Sequence, residues 1–109
     1  MSLGLRSSKN FSKPRGQGRL PIELGVRISG GNDQPGTEHT FTENVSAGGA
    51  RVVTSRPWKL NDRLNFATLT GSFSAAARVA YCHAVPAKGF AIGLEFLGAP
   101  KGQWVVSPA

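Results

Sequence analysis

Near the C-terminal end, Phe90, Ile92, Leu94 and Phe96 alternate without a slip with Ala91, Gly93 and Glu95. A period of two puts successive side chains on opposite faces of an extended chain, so this stretch predicts a half-buried strand rather than an amphipathic helix. The same period recurs upstream. Leu20, Ile22, Leu24, Val26 and Ile28 alternate with Pro21, Glu23, Gly25, Arg27 and Ser29, and Leu64 and Phe66 alternate with Arg63 and Asn65 on the way to Leu69. Phe73, Ala75, Ala77, Val79 and Tyr81 make one face of another strand, with Ser74, Ala76, Arg78, Ala80 and Cys82 on the other. Its alanines alone would suit a helix, but the alternation and the bounding Gly71 and Pro86 favour strand.

Residues 37–44 read as a more polar strand and Ala50–Thr54 as the next. The connections carry turn chemistry: "GGNDQPG" at 30–36, "SRPWKLND" at 55–62, Thr70-Gly71, and "VPAKG" at 85–89. Six short, evenly spaced strands without a convincing helix predict an all-β domain, either a small antiparallel barrel or a sandwich. A chain of 109 residues fits one domain, burying roughly 60–70% of its unfolded surface. Residues 1–13 lack periodicity and read as a flexible leader, 14–98 hold the strands, and 99–109 form a tail. The core of this reading is Phe66, Phe73, Phe90 and Phe96, with Trp104 expected to cap the open end and Trp58 to pack.

Charge is uneven. Lys and Arg number 13 against 6 Asp and Glu, a formal +7. Residues 1–19 hold Arg6, Lys9, Lys13, Arg15 and Arg19 and no acid, leaving a nearly balanced body. A basic arm on a neutral body suits an anionic partner, or equally a solvated tail. One cysteine, Cys82, excludes an internal disulfide and paired-cysteine metal sites. No apolar run suits a secretion signal or a membrane span, so the expectation is a cytoplasmic protein with no membrane contact.

Catalysis finds little support. His39 and His83 fall in separate strands, the acids are scattered, and Cys82 has no local base. "GQG" at 16–18 lacks the third glycine and preceding strand of a dinucleotide fingerprint. The expectation is no enzyme, no catalytic residue, no metal and no cofactor.

Two constellations stand out. Arg15 and Arg19 bracket a glycine-containing loop before the first strand; a guanidinium fork can grip a phosphate, stack on a base, or bond the O6 and N7 edge of guanine. The second interrupts strand in "FTENVSAGGARVV". Asn44 and Ser46, two apart, point to one side of an extended chain, while Gly48 and Gly49 let the backbone turn and a flat ligand approach. Taken singly, each is as well described as solvated charge or an ordinary hairpin turn.

Together and in this order, "RGQGR" (Arg15, Arg19) and, about 25 residues on, "NVSAGG" (Asn44, Ser46, Gly49) resemble the Arg-x-x-x-Arg and Asp/Asn-x-Ser-x-x-Gly motifs of the PilZ domain family. "RLPIELGVRI", "GGARVVTSRPWKLNDRLNF" and "ARVAYCHAVPAKGFAIGLEFLG" are similar to that family's strands, so the resemblance covers residues 14–98. It implies a six-stranded antiparallel β-barrel with a flexible basic N-terminal arm, and cyclic di-GMP as the ligand. Arg15 and Arg19 would meet guanine edges and phosphates, Asn44 and Ser46 would bond a guanine, and Gly48 and Gly49 would leave it room. Ligand would order the arm and signal to a protein partner. Asn44 in place of Asp, and the supple GQG loop, imply weaker binding. Two other readings are an adaptor of the same fold that binds only protein, and a basic barrel for single-stranded nucleic acid, which needs exposed aromatic platforms.

Overall fold

The computed structural model describes residues 18–30 and 36–106. The leader through residue 17, Arg15 included, lies outside them. Six strands follow in order: β1 (Gly25–Ser29), β2 (Thr37–Ser46), β3 (Gly49–Thr54), β4 (Arg63–Thr68), β5 (Phe73–Val85) and β6 (Gly89–Gly102). They close into a barrel in the order β1-β2-β3-β6-β5-β4, every neighbouring pair antiparallel. The barrel expectation therefore holds over the sandwich. No helix is long and apolar enough to cross a membrane among the described residues.

The alternation fills the barrel. Val26 and Ile28 of β1, Val45 of β2, Val52 of β3, Phe66 of β4, Val79 of β5 and Ile92 of β6 are all essentially inaccessible. Each such side chain stabilises the fold by about 1.5–3 kcal/mol through removal from water. At one end Phe66, Phe73, Phe96 and Trp104 pack as an aromatic cluster, with the Phe73 and Trp104 ring centroids 4.6 Å apart. The Trp104 indole donates Nε1–H to the Ser46 carbonyl at 2.7 Å, which fixes the ring beside the β2–β3 turn. Trp58 sits buried in the core cluster.

Three departures from strict period two shape the outer surface. The alternation from 20 to 28 predicts one strand, yet only Gly25–Ser29 forms a ladder. Pro21 has no N–H to give. Thr42 stands in for the missing ladder: its hydroxyl donates to the Ile22 carbonyl at 2.7 Å and accepts the Leu24 N–H at 2.9 Å. Further up, Leu20 and Val45 exchange two backbone hydrogen bonds, 2.8 and 2.9 Å.

In β5 a bulge falls between Val79 and Tyr81, so Tyr81 lies opposite Gly93 and Cys82 opposite the core residue Ile92. The extra residue, Ala80, reverses the phase. Tyr81 therefore stands on the outer face, not with Val79, and Cys82 packs against the core. The last strand also outruns its pattern. It continues to Gly102, pairing Lys101 with Ser74 and Gly102 with Phe73, after a register shift across from Ser74 and Ala76.

Candidate functional site

The β2–β3 hairpin carries Asn44 and Ser46. Between them Val45 points inward and is fully buried, so by strand alternation Asn44 and Ser46 lie on the other face, Asn44 half-buried and Ser46 buried at 8% exposure. A second bulge sets this phase. The pairing passes from Thr42↔Val52 to Asn44↔Arg51 and leaves Glu43 as the extra residue. Thr42 thus faces in, Glu43 and Asn44 face out, and Val45 faces in again. The strand runs through Asn44 and Ser46, and only Ala47 and Gly48 form the turn.

Arg19 is brought to this corner by the backbone. The paired bonds between Leu20 and Val45 hold the residue after Arg19 against the residue after Asn44. The Arg19 Nη1 then donates to the Asn44 Oδ1 at 2.8 Å. Arg19 is exposed, and a guanidinium has five N–H donors in a planar fork. One bond leaves most of that fork free to meet a further acceptor. The Asn44 amide, its oxygen engaged, keeps an NH2 donor pair. The Ser46 hydroxyl has no side-chain partner among the described residues.

Arg19, Ser46, Gly48 and Gly49 line a cleft of about 420 Å³ on the outer wall made by β3, β6 and β5. Its volume falls within the usual range for small-molecule sites, roughly 300–1,000 Å³. The floor is bare because it has to be. A Cβ on Gly49 would collide with the Leu94 carbonyl oxygen of β6, and a Cβ on Gly93 would enter the Tyr81 ring. Neither Gly48 nor Gly49 has a positive φ. Gly49 is thus demanded by the close β3–β6 approach, rather than by turning of the chain.

Charged side chains frame the cleft. Arg78 donates Nε–H to Glu95 at 2.7 Å and Nη1–H to the Asn61 side chain at 2.9 Å. Beside it, Arg51 bonds Glu43 at 2.8 Å and the Tyr81 hydroxyl at 3.2 Å, its guanidinium 5.6 Å from the Tyr81 ring centroid. The Glu43 hydrogen bond first, then that of Tyr81, raises the Arg51 pKa above its ordinary value. The group is a fixed cation that holds the Tyr81 ring over Gly93.

Five of the six expected site residues are thereby assembled. Arg19, Ser46, Gly48 and Gly49 share the cleft, and Asn44 is bonded to Arg19; Arg15 lies outside the described residues. Tyr81, Arg78 and Glu95 also line it and were not singled out from the sequence. Strict alternation assigns Tyr81 to the core, so its contribution becomes legible only with the bulge. The Arg78–Glu95 pair follows from the β5–β6 register, which sequence period alone does not supply. Among the described residues no group of three metal-ligating side chains occurs.

The corner brings together a cationic fork, an amide and a hydroxyl beside a cleft lined by Gly48, Gly49, Ala80 and Gly93 as well as Tyr81, Leu94 and Phe96. Residues 13–105 match the family model described as the PilZ domain. A comparison with curated proteins returns no match.

Proposed function

Since the chain belongs to the PilZ domain family, the family of cyclic di-GMP receptor domains, we propose that it is itself a cytoplasmic cyclic di-GMP receptor that acts by binding and not by catalysis. The observation that carries the reading is the 2.8 Å bond from Arg19 to Asn44, made beside the uncommitted Ser46 hydroxyl on one cleft. It joins the two sequence motifs in space. The ligand carries two guanines and two phosphates. The free part of the Arg19 fork suits the O6 and N7 edge of guanine or a phosphate oxygen. Asn44 and Ser46 would supply donors to the same base, whose ring would lie beside the Gly48–Gly49 backbone and the Tyr81 ring that covers Gly93.

Arg15 would complete the grip from the leader. Closing the basic leader over a dianion costs conformational entropy, which the charge-assisted bonds offset. The reordered leader then presents a changed surface to a protein partner. Of the four phenylalanines expected in the core, Phe66 and Phe73 are buried and Phe96 packs against it, which removes three platforms from the nucleic-acid reading; Phe90 is only half-buried, outside the core cluster, and Phe41 is exposed. Calorimetric titration of the full chain with cyclic di-GMP tests the proposal. Saturable binding of one base-stacked or single nucleotide is the expected result; no heat at tens of micromolar would overturn it.

A further inference from the structure

A second groove of about 320 Å³ runs across β1, β4, the start of β5 and the end of β6. It shares no residue with the Arg19 cleft. Its floor follows from the ladder registers. Arg27 pairs with Ala67, Ala67 with Ser74, and Ser74 with Lys101, so these four side chains form one row across four strands. The row beside it is Ser29, Asn65, Ala76 and Leu97. Small side chains therefore sit in the middle, with one exposed cation at each end.

These cations are uncommitted. Among the described residues neither Arg27 nor Lys101 has an ion pair, whereas Arg51 and Arg78 each hold a carboxylate. The polar groups between them, Asn65 and Ser74, likewise have no side-chain partner there. Across this groove β1, β4 and the start of β5 are each paired on both sides. A partner lying across these strands is recognised by side chains projecting from the wall.

The span defines what fits. Neighbouring strands lie about 4.8 Å apart, so three steps from β1 to β6 separate Arg27 and Lys101 by roughly 14 Å along the wall. An extended peptide rises about 3.3 Å per residue, so side chains at i and i+4 share a face and stand roughly 13 Å apart. We propose that this groove docks an extended acidic segment of a partner protein, with carboxylates at i and i+4 meeting Arg27 and Lys101 and small side chains over Ala67 and Ala76. The inference deepens the partner side of the proposed function and does not depend on nucleotide binding.

The test is an NMR titration of the full chain, isotope-labelled, with a blocked β-branched heptapeptide bearing carboxylates at its second and sixth positions. Amide shifts should concentrate at Ala67, Ser74 and Ala76. The Arg27→Glu, Lys101→Glu double variant should weaken the peptide Kd at least about tenfold, and Lys88→Glu, in the β5–β6 turn, should leave it within about twofold. The neutral Arg27→Gln, Lys101→Gln variant repeats the comparison if charge reversal disturbs the fold. No groove shifts at millimolar peptide, or equal binding by the double variant, would overturn the proposal. So would tighter binding of a single-stranded oligonucleotide at the same amides. A parallel cyclic di-GMP titration of the double variant separates the two readings, since its outcome depends on Arg19 and not on Arg27 or Lys101.

Discussion

Replacing Gly49 by Ala tests why the floor of the cleft is bare. The new Cβ would overlap the Leu94 carbonyl oxygen, with the Leu94 carbonyl carbon at 3.0 Å and the Glu95 Cα at 3.4 Å. These are backbone atoms of β6, which is laddered to β3 on one side and β5 on the other, so no rotamer change removes the clash. Relief requires the hairpin end to lift from β6. Overpacking of this kind costs about 1–3 kcal/mol. Lifting also endangers the bond from Phe96 N–H to the Gly48 carbonyl at 2.8 Å, a further loss of about 1 kcal/mol. The expected destabilisation is therefore about 2–4 kcal/mol, or a fall in Tm of roughly 8–20 °C for a domain of this size. Thermal and urea unfolding of the variant measure it. A Tm within about 2 °C of the parent, with only ligand affinity lost, would refute the packing argument and leave ligand clearance as the reason for glycine.

Other substitutions probe the remaining elements. Arg19→Ala and Ser46→Ala should each weaken cyclic di-GMP binding by about 1–3 kcal/mol, read by calorimetry, with unfolding midpoints unchanged. Trp104→Ala removes an indole from the aromatic cluster and its bond to Ser46, and should cost about 3–5 kcal/mol of stability in urea unfolding. Gly93→Ala meets a side chain rather than backbone: the Tyr81 ring can swing aside, so its cost should be smaller than that of Gly49→Ala, and Tyr81 fluorescence should report the lost Arg51 contact. Cys82→Asp tests the bulge in β5, because a carboxylate turned against the core should destabilise by at least about 2 kcal/mol. On the unbulged assignment, with Cys82 outside, the same change would fall within about 0.5 kcal/mol.

The barrel was legible because inward residues stay in phase over the short strands. In β4, Leu64 and Phe66 alternate with Arg63 and Asn65 and are buried as the period requires. Phase fails where one strand holds a residue its neighbour does not match. Nothing in the side chains of Glu43 or Ala80 marks either as the extra residue; both are set by the partner ladder. For that reason Asn44 and Ser46 could be placed on a common side, but Tyr81 was assigned to the wrong face. The early end expected for the last strand has a similar origin. Gly98, Ala99 and Pro100 break the apolar rhythm, yet Lys101 and Gly102 rejoin β5 through main-chain pairing that side-chain pattern does not encode. The cleft was legible as a pair of motifs, and its frame of Arg78, Glu95 and Tyr81 was not, because the frame is a product of register.

The bond between Arg19 and Asn44 makes the protein its own first occupant of the cleft. Any acceptor that takes those guanidinium protons must either share them or displace the amide oxygen, so a measured affinity would report a difference between two sets of bonds. A carboxylate at position 44 would hold the arginine more tightly, since charged acceptors bind roughly twice as strongly as neutral ones. The neutral amide lets go more readily. In the proposed receptor, what asparagine would forfeit in attraction for a guanine it would partly recover by leaving the arginine easier to recruit.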